Sequence, residues 1–124
     1  MKKFLLSLTV SSLLIGCASN PNEEVIALAD LRANHLNSIM PIDVGEYKFM
    51  RAHAKSTTVL VDILYGGGSP ITPSQFLSNS VKDYCQNPDI KAVLDKGVHY
   101  AFTIRDVRAR PIAEQVINAS SCGL

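Results

Sequence analysis

Three cysteines, Cys17, Cys85 and Cys122, carry most of the chemistry available to this chain. A thiol can close a disulfide, ligate a metal or be alkylated to a thioether, and its surroundings decide which. Cys85 and Cys122 lie far apart in sequence, each in a segment of mixed polarity. In an exported chain such a pair is most simply read as a disulfide. The alternative is a metal site, but neither cysteine has a histidine near it at ligand spacing. A nucleophile, base and orienting acid could be drawn from the serines, His35, His53, His99 and the carboxylates. Each histidine stands alone in its segment, and no G-x-S-x-G, H-E-x-x-H or paired-carboxylate pattern occurs. Asp62 interrupts an apolar run and reads as a solvent-facing residue. The expectation is therefore no enzyme, no catalytic residue, no cofactor and no metal.

Cys17 has a different setting. Lys2 and Lys3 open the chain, and Phe4 to Gly16 is an uncharged run of about 13 residues. That is the n-region and h-region of an export signal. It is too short to span a bilayer as a helix, which takes roughly 20 apolar residues. No A-x-A-like cleavage site follows. Instead "LIGC" resembles the lipobox of bacterial lipoproteins, in which cleavage leaves the cysteine as the first residue, carrying a thioether-linked diacylglycerol and an amide-linked acyl chain. Such chains anchor a protein stably, since each buried methylene contributes about 0.8 kcal/mol. Ala18, rather than an aspartate, follows the cysteine, which resembles an outer-membrane address by the enterobacterial sorting pattern. The chain thus divides into a signal over 1–16, a lipidated tether over 17–22 and a domain over 23–124.

Removing the signal leaves 108 residues, enough for one modest core, with ten basic against eleven acidic groups. That balance favours neither a nucleic acid nor a polybasic membrane patch. Asn20 as N-cap, Pro21 at the first helical position and Glu23 near N3 predict a helix start. The helix continues from Glu24 to about Ile39 on a stripe of Val25, Leu28, Leu31 or Arg32, His35 or Leu36, and Ile39. Pro41 stops it. Tyr47 to Ala54 predicts a strand with Tyr47, Phe49 and Arg51 on one face and Lys48, Met50 and Ala52 on the other. Thr57 to Tyr65 predicts a central strand, apolar on both faces, paired with it as a hairpin.

"YGGGSPITP" reads as a strand-to-helix connection, because no Lys-Ser/Thr follows the glycines to make a phosphate loop. Thr72, Pro73 and Gln75 form a capping-box start for a helix to about Cys85. Asn87 caps a short helix carrying Ile90, Val93 and Leu94, and Gly97 ends it. Val98 to Asp106 and Ile112 to Asn118 predict a second hairpin about a charged turn, "RDVRAR". The sum is an α+β domain: an antiparallel sheet of about four to five strands, flanked by about three to four helices, with one disulfide. A bridge from Cys85 to Cys122 closes a loop of nearly 40 residues, worth about 3–4 kcal/mol. An anchored domain without catalytic residues suggests binding. Phe76, Leu77, Val81, Tyr84, Ile90 and Leu94 could frame a groove for a partner's amphipathic helix.

The run "MPIDVGEYKFMRAHAKSTTVLVDIL", then "TPSQFLSNSVKDYCQNPDIKAVLDKGVHYAFTIRD", then the closing "SSCGL" resembles the type II secretion pilotins of the AspS/GspS-beta class. The resemblance implies an outer-membrane lipoprotein with helices packed on an antiparallel sheet. It implies a partner, the disordered C-terminal segment of the secretin subunit, which becomes helical when bound. It implies delivery of that segment, after passage through the lipoprotein sorting machinery, to the inner leaflet of the outer membrane, where the secretin assembles. By the same match Cys17 is lipidated, and Cys85 pairs with Cys122. The triple-glycine loop is not a feature the family requires. A competing class is a periplasmic inhibitor or ligand-binding lipoprotein of the lysozyme-inhibitor kind, also small, anchored and disulfide-closed.

Overall fold

The computed structural model describes residues 21–123. The signal, Cys17 and the Asn20 cap lie outside them. The elements run α1 (Pro21–Ile39), β1 (Ile42–Val44), β2 (Tyr47–Lys55), β3 (Thr58–Tyr65), α2 (Pro73–Gln86), α3 (Pro88–Asp95), β4 (His99–Arg105) and β5 (Pro111–Ile117). A short 3-10 turn, Ala119–Cys122, closes the chain. The five strands form one sheet in sequence order.

The local signals explain most boundaries. The N–H of Gln75 donates to Thr72 Oγ1 at 3.2 Å, and the N–H of Thr72 donates to Gln75 Oε1 at 3.0 Å, which starts α2. Asn87 serves both helices at once. Its N–H donates to the Asp83 carbonyl at 3.1 Å, closing α2. Its side chain accepts from the N–H groups of Asp89 and Ile90, opening α3. Gly97, at φ +109°, ends the turn after α3 in a conformation that a side chain resists.

Three expectations need correction. The sheet is mixed, because β3 and β4 pair in parallel while the other neighbours are antiparallel. The reason lies in the connection: α2 and α3 carry the chain back across the sheet, so His99 re-enters beside Thr57 at the start of β3 and β4 must run the same way. The faces of β2 also change partway. A bulge between Phe49 and Arg51 puts Tyr47 and Phe49 on the core side, then Ala52 and Ala54, and leaves Met50 and Arg51 exposed. Along α1 the buried residues are Ala29 and Ala33, with Val25, Leu28 and Leu36 against the core. Leu31 and Ile39 are exposed, because small alanines let the helix backbone approach β2 and β3 closely. Strand β1 goes unforeseen; three residues are too few to show an alternation.

One core results. Val59, Val61 and Ile63 of β3 and Tyr100, Phe102 and Ile104 of β4 are almost fully buried on one sheet face. Ala29 and Ala33, Phe76 and Leu77, and Leu94 join them from α1, α2 and α3. The opposite face carries half-buried Leu60, Asp62, Leu64 and Thr103 and exposed Glu114 and Val116. On it Asp62 sits between two arginines, with Arg51 Nε at 2.8 Å and Arg105 Nε at 3.4 Å. Burial pushes the Asp62 carboxyl up, but the hydrogen bonds and charges of Arg51 and Arg105 outweigh it and hold it below the usual carboxylate range. Cys85 and Cys122 form a disulfide that ties the last turn of α2 to the 3-10 turn.

A candidate apolar groove beside the second helix

The six residues expected to frame a groove divide between two roles. Leu77 and Leu94 are sealed in the core, at 3% and 1% exposure. Val81 and Ile90 are half-buried against it, Val81 beside the disulfide. Phe76 and Tyr84 alone line an open groove. Its volume is about 310 Å³. Val44 and Phe49 of β1 and β2 form one wall, Ile71 stands at one end, and the α2 stripe Phe76, Asn79, Ser80, Asp83 and Tyr84 forms the other.

The groove exists because β1 extends the sheet past its helical cover. Val44 pairs with Tyr47 and Ile42 with Phe49, so both β1 side chains share the core face. Val44 nevertheless remains 46% exposed and Ile71 41%. Beside Phe49 and Tyr84 they leave apolar surface open along the groove.

Aromatic rings fix the end at Ile71. Tyr47 stacks on Tyr65 with ring centroids 4.5 Å apart and on Phe76 at 4.0 Å. The Tyr47 hydroxyl donates to the Ile71 carbonyl at 2.7 Å, and the Ser69 N–H donates to the Tyr65 hydroxyl at 3.1 Å. The connection after β3 is thereby pinned at two points, with Gly67 and Gly68 supplying its positive-φ turns. At the other end Tyr84 meets Tyr100 and Phe102 edge-to-face at 5.1 and 5.3 Å. Burial, reinforced by Tyr100 and opposed by Arg32, pushes the Tyr84 hydroxyl up to about 12. Arg32 Nε in turn donates to the Tyr100 hydroxyl at 3.0 Å, tying α1 to the floor below.

The three histidines lie outside the described lining of this groove. His35 and His53 are exposed on α1 and β2, and His99 is half-buried at the start of β4. Among the described residues no three His, Cys, Asp or Glu side chains converge to hold a metal. A second cleft, of about 420 Å³, lies where α1 meets the turn after α3. Of its described lining residues, Glu24 and Lys96 are charged, beside Val25 and Leu28, so it offers less apolar wall. The residues missed from sequence are Val44, Phe49, Ile71, Asn79, Ser80 and Asp83. The available signal was the four-residue spacing Phe76, Ser80, Tyr84, which places a small polar residue between two rings on one helix face.

Known proteins share this architecture. Residues 21–122 match the family model described as the type II secretion system pilotin, S protein. The chain is 32% identical over 121 residues to Pilotin AspS 2 of Escherichia coli O78:H11 (strain H10407 / ETEC), covering 96% of this chain and 88% of that one. It is 31% identical over 121 residues to Lipoprotein YghG of Escherichia coli (strain K12), with the same coverage. Among solved structures it is similar to the pilotin EpsS from the Vibrio vulnificus type 2 secretion system, with a TM-score of 0.76 and 29% identity over 84% of this chain and 96% of that one.

Proposed function

The chain belongs to the type II secretion system pilotin family, and from that premise we propose that it is a lipid-anchored pilotin whose groove beside α2 grips the C-terminal segment of the secretin. Cys17 carries the lipid, and the sorting machinery delivers the loaded protein to the periplasmic face of the outer membrane. There the secretin segment, helical in the groove, is handed to channel assembly. The observation that carries this reading is the family match over residues 21–122. The groove supplies a physical means. An amphipathic helix laid against Val44, Ile71, Phe76 and Tyr84 would remove exposed apolar surface on both partners. The anchor is supported by "LIGC" after an uncharged run and by the similar chain that bears the name lipoprotein. The role requires no catalysis, cofactor or nucleic acid.

Calorimetry of the mature protein with a synthetic peptide covering the cognate secretin's C-terminal segment tests the grip. Binding is expected, and its absence at concentrations well above micromolar overturns the reading. The anchor is tested separately. Cys17→Ser should abolish acyl labelling and release the protein from the membrane; labelling that persists would place the lipid elsewhere. In a strain lacking the protein, secretin multimers should fail to reach the outer membrane.

A further inference from the structure

Among the described lining residues of the groove one acid, the solvent-exposed Asp83 at its rim, has no counter-charge. Asp83 lies on the lining stripe of α2, seven residues after Phe76 and four after Asn79. The ion pairs among the described residues use Asp43, Asp62, Asp95 and Asp106, and none involves Asp83. Its sequence neighbour Lys82 faces another way and lines a depression with Cys85 and Gln86. The other described residues of the wall offer no cation: Val44, Phe49, Ile71, Phe76 and Tyr84 are apolar or aromatic, and Asn79 and Ser80 are neutral. The Ser80 hydroxyl is already committed to the Phe76 carbonyl at 2.9 Å.

A segment docking here takes water from that carboxylate. A desolvated acid without a partner costs binding free energy, whereas a lysine or arginine facing it would offset the loss and set the register of the bound helix. We propose that Asp83 is the specificity-determining contact of the groove, selecting an amphipathic helix that carries a basic side chain at the edge of its apolar face. The inference rests on the functional reading above and adds to it the charge of the occupant.

The test is a charge-swap cycle with the lipidated mature protein in detergent and the secretin peptide. Asp83→Lys should weaken binding roughly tenfold or more. One peptide variant with a single lysine or arginine changed to glutamate should bind the wild type more weakly and recover affinity for Asp83→Lys. Thermal melts accompany each variant, and Asp83→Asn, expected to weaken binding several-fold and flatten its salt dependence, replaces Asp83→Lys if the latter unfolds. Unchanged affinity in a folded Asp83 variant overturns the inference and leaves the groove reading intact, as does failure of every peptide charge reversal to restore binding. A wild-type protein that does not bind the peptide overturns both.

Discussion

Replacing both bridged cysteines by serine should remove a large part of this domain's stability while leaving its groove in place. The bridge joins residues 37 apart in sequence. Releasing a loop of that length returns to the unfolded chain about 13 cal/mol/K of entropy, or about 4 kcal/mol at room temperature. A domain of this size has only ~5–15 kcal/mol in total. Little native packing is lost with the bond, because the 3-10 turn keeps its own cap: the Ser121 N–H donates to Asn118 Oδ1 at 3.0 Å, and the Asn118 N–H donates to Ser121 Oγ at 3.1 Å. The effect should therefore fall mainly on the unfolded state. Urea titration followed by far-ultraviolet circular dichroism is the assay. The midpoint should drop, and the m-value should rise because the unlooped chain exposes more surface. In thermal melts the shift should be ~15–30 °C. A loss below about 1 kcal/mol with an unchanged m-value would refute the loop-entropy argument for this bridge.

Other expectations follow from the same packing. Val44→Arg and Ile71→Arg alter half-exposed side chains, so each should change stability by no more than about 0.5 kcal/mol yet weaken secretin-segment binding; paired melting and calorimetry would reveal a folding defect instead. Leu94→Ala, at a site 1% exposed, should cost about 2–5 kcal/mol, and a denaturation midpoint near wild type would mean that α3 is not part of the core. Asp62→Asn should cost about 0.5–1 kcal/mol at neutral pH, since Arg51 is 72% exposed and its pair is screened. The Asp62 carboxyl is depressed in the fold, so its contribution is present above the ordinary carboxylate range and is lost as pH falls through the folded value. The difference between wild type and variant should shrink in acid; a constant difference would contradict the arginine clamp.

The sequence was most readable where a short-range rule decided the outcome. The Thr72–Gln75 capping box, the Asn87 cap of α3 and the alternation from Val98 to Ile104 each predict what the fold contains. The parallel β3–β4 pair was harder, since strand direction depends on where two helices return the chain. At Met50 a bulge interrupts an alternation that the one-dimensional pattern cannot phase. The groove was harder still. Choosing the most apolar residues of α2 and α3 selects core positions such as Leu77 and Leu94. A binding groove is instead what packing leaves uncovered. It emerged at Val44, on a strand too short to foresee, and at Ile71, on a connection held by two tyrosine hydroxyls.

The parallel pair also bears on the proposed anchor. It puts Thr58 and His99 at one end of the sheet and Leu64 and Arg105 at the other. The first turns of α1 belong to the former end, where the Val25 methyls lie 3.6 and 3.7 Å from where a Cβ on Gly97 would sit. Val44 and Ile71 belong to the latter, beside Tyr47 and the close of β3. Four residues from Cys17 to Pro21 reach at most ~14 Å, while the eight residues of β3 alone span roughly 26 Å. With the lipid at Cys17, a short tether therefore does not by itself hold the Ile71 end of the groove against the bilayer, although the Tyr84 end, over Tyr100, lies nearer the entry of α1. The Ile71 end opens at the far side of the sheet from the entry of α1, so a secretin segment could enter from the periplasm while the other end of the domain stays near its anchor. Lengthening the 17–22 tether by a few flexible residues should then leave secretin capture unchanged; a marked loss of capture would show that the groove needs the membrane surface close by.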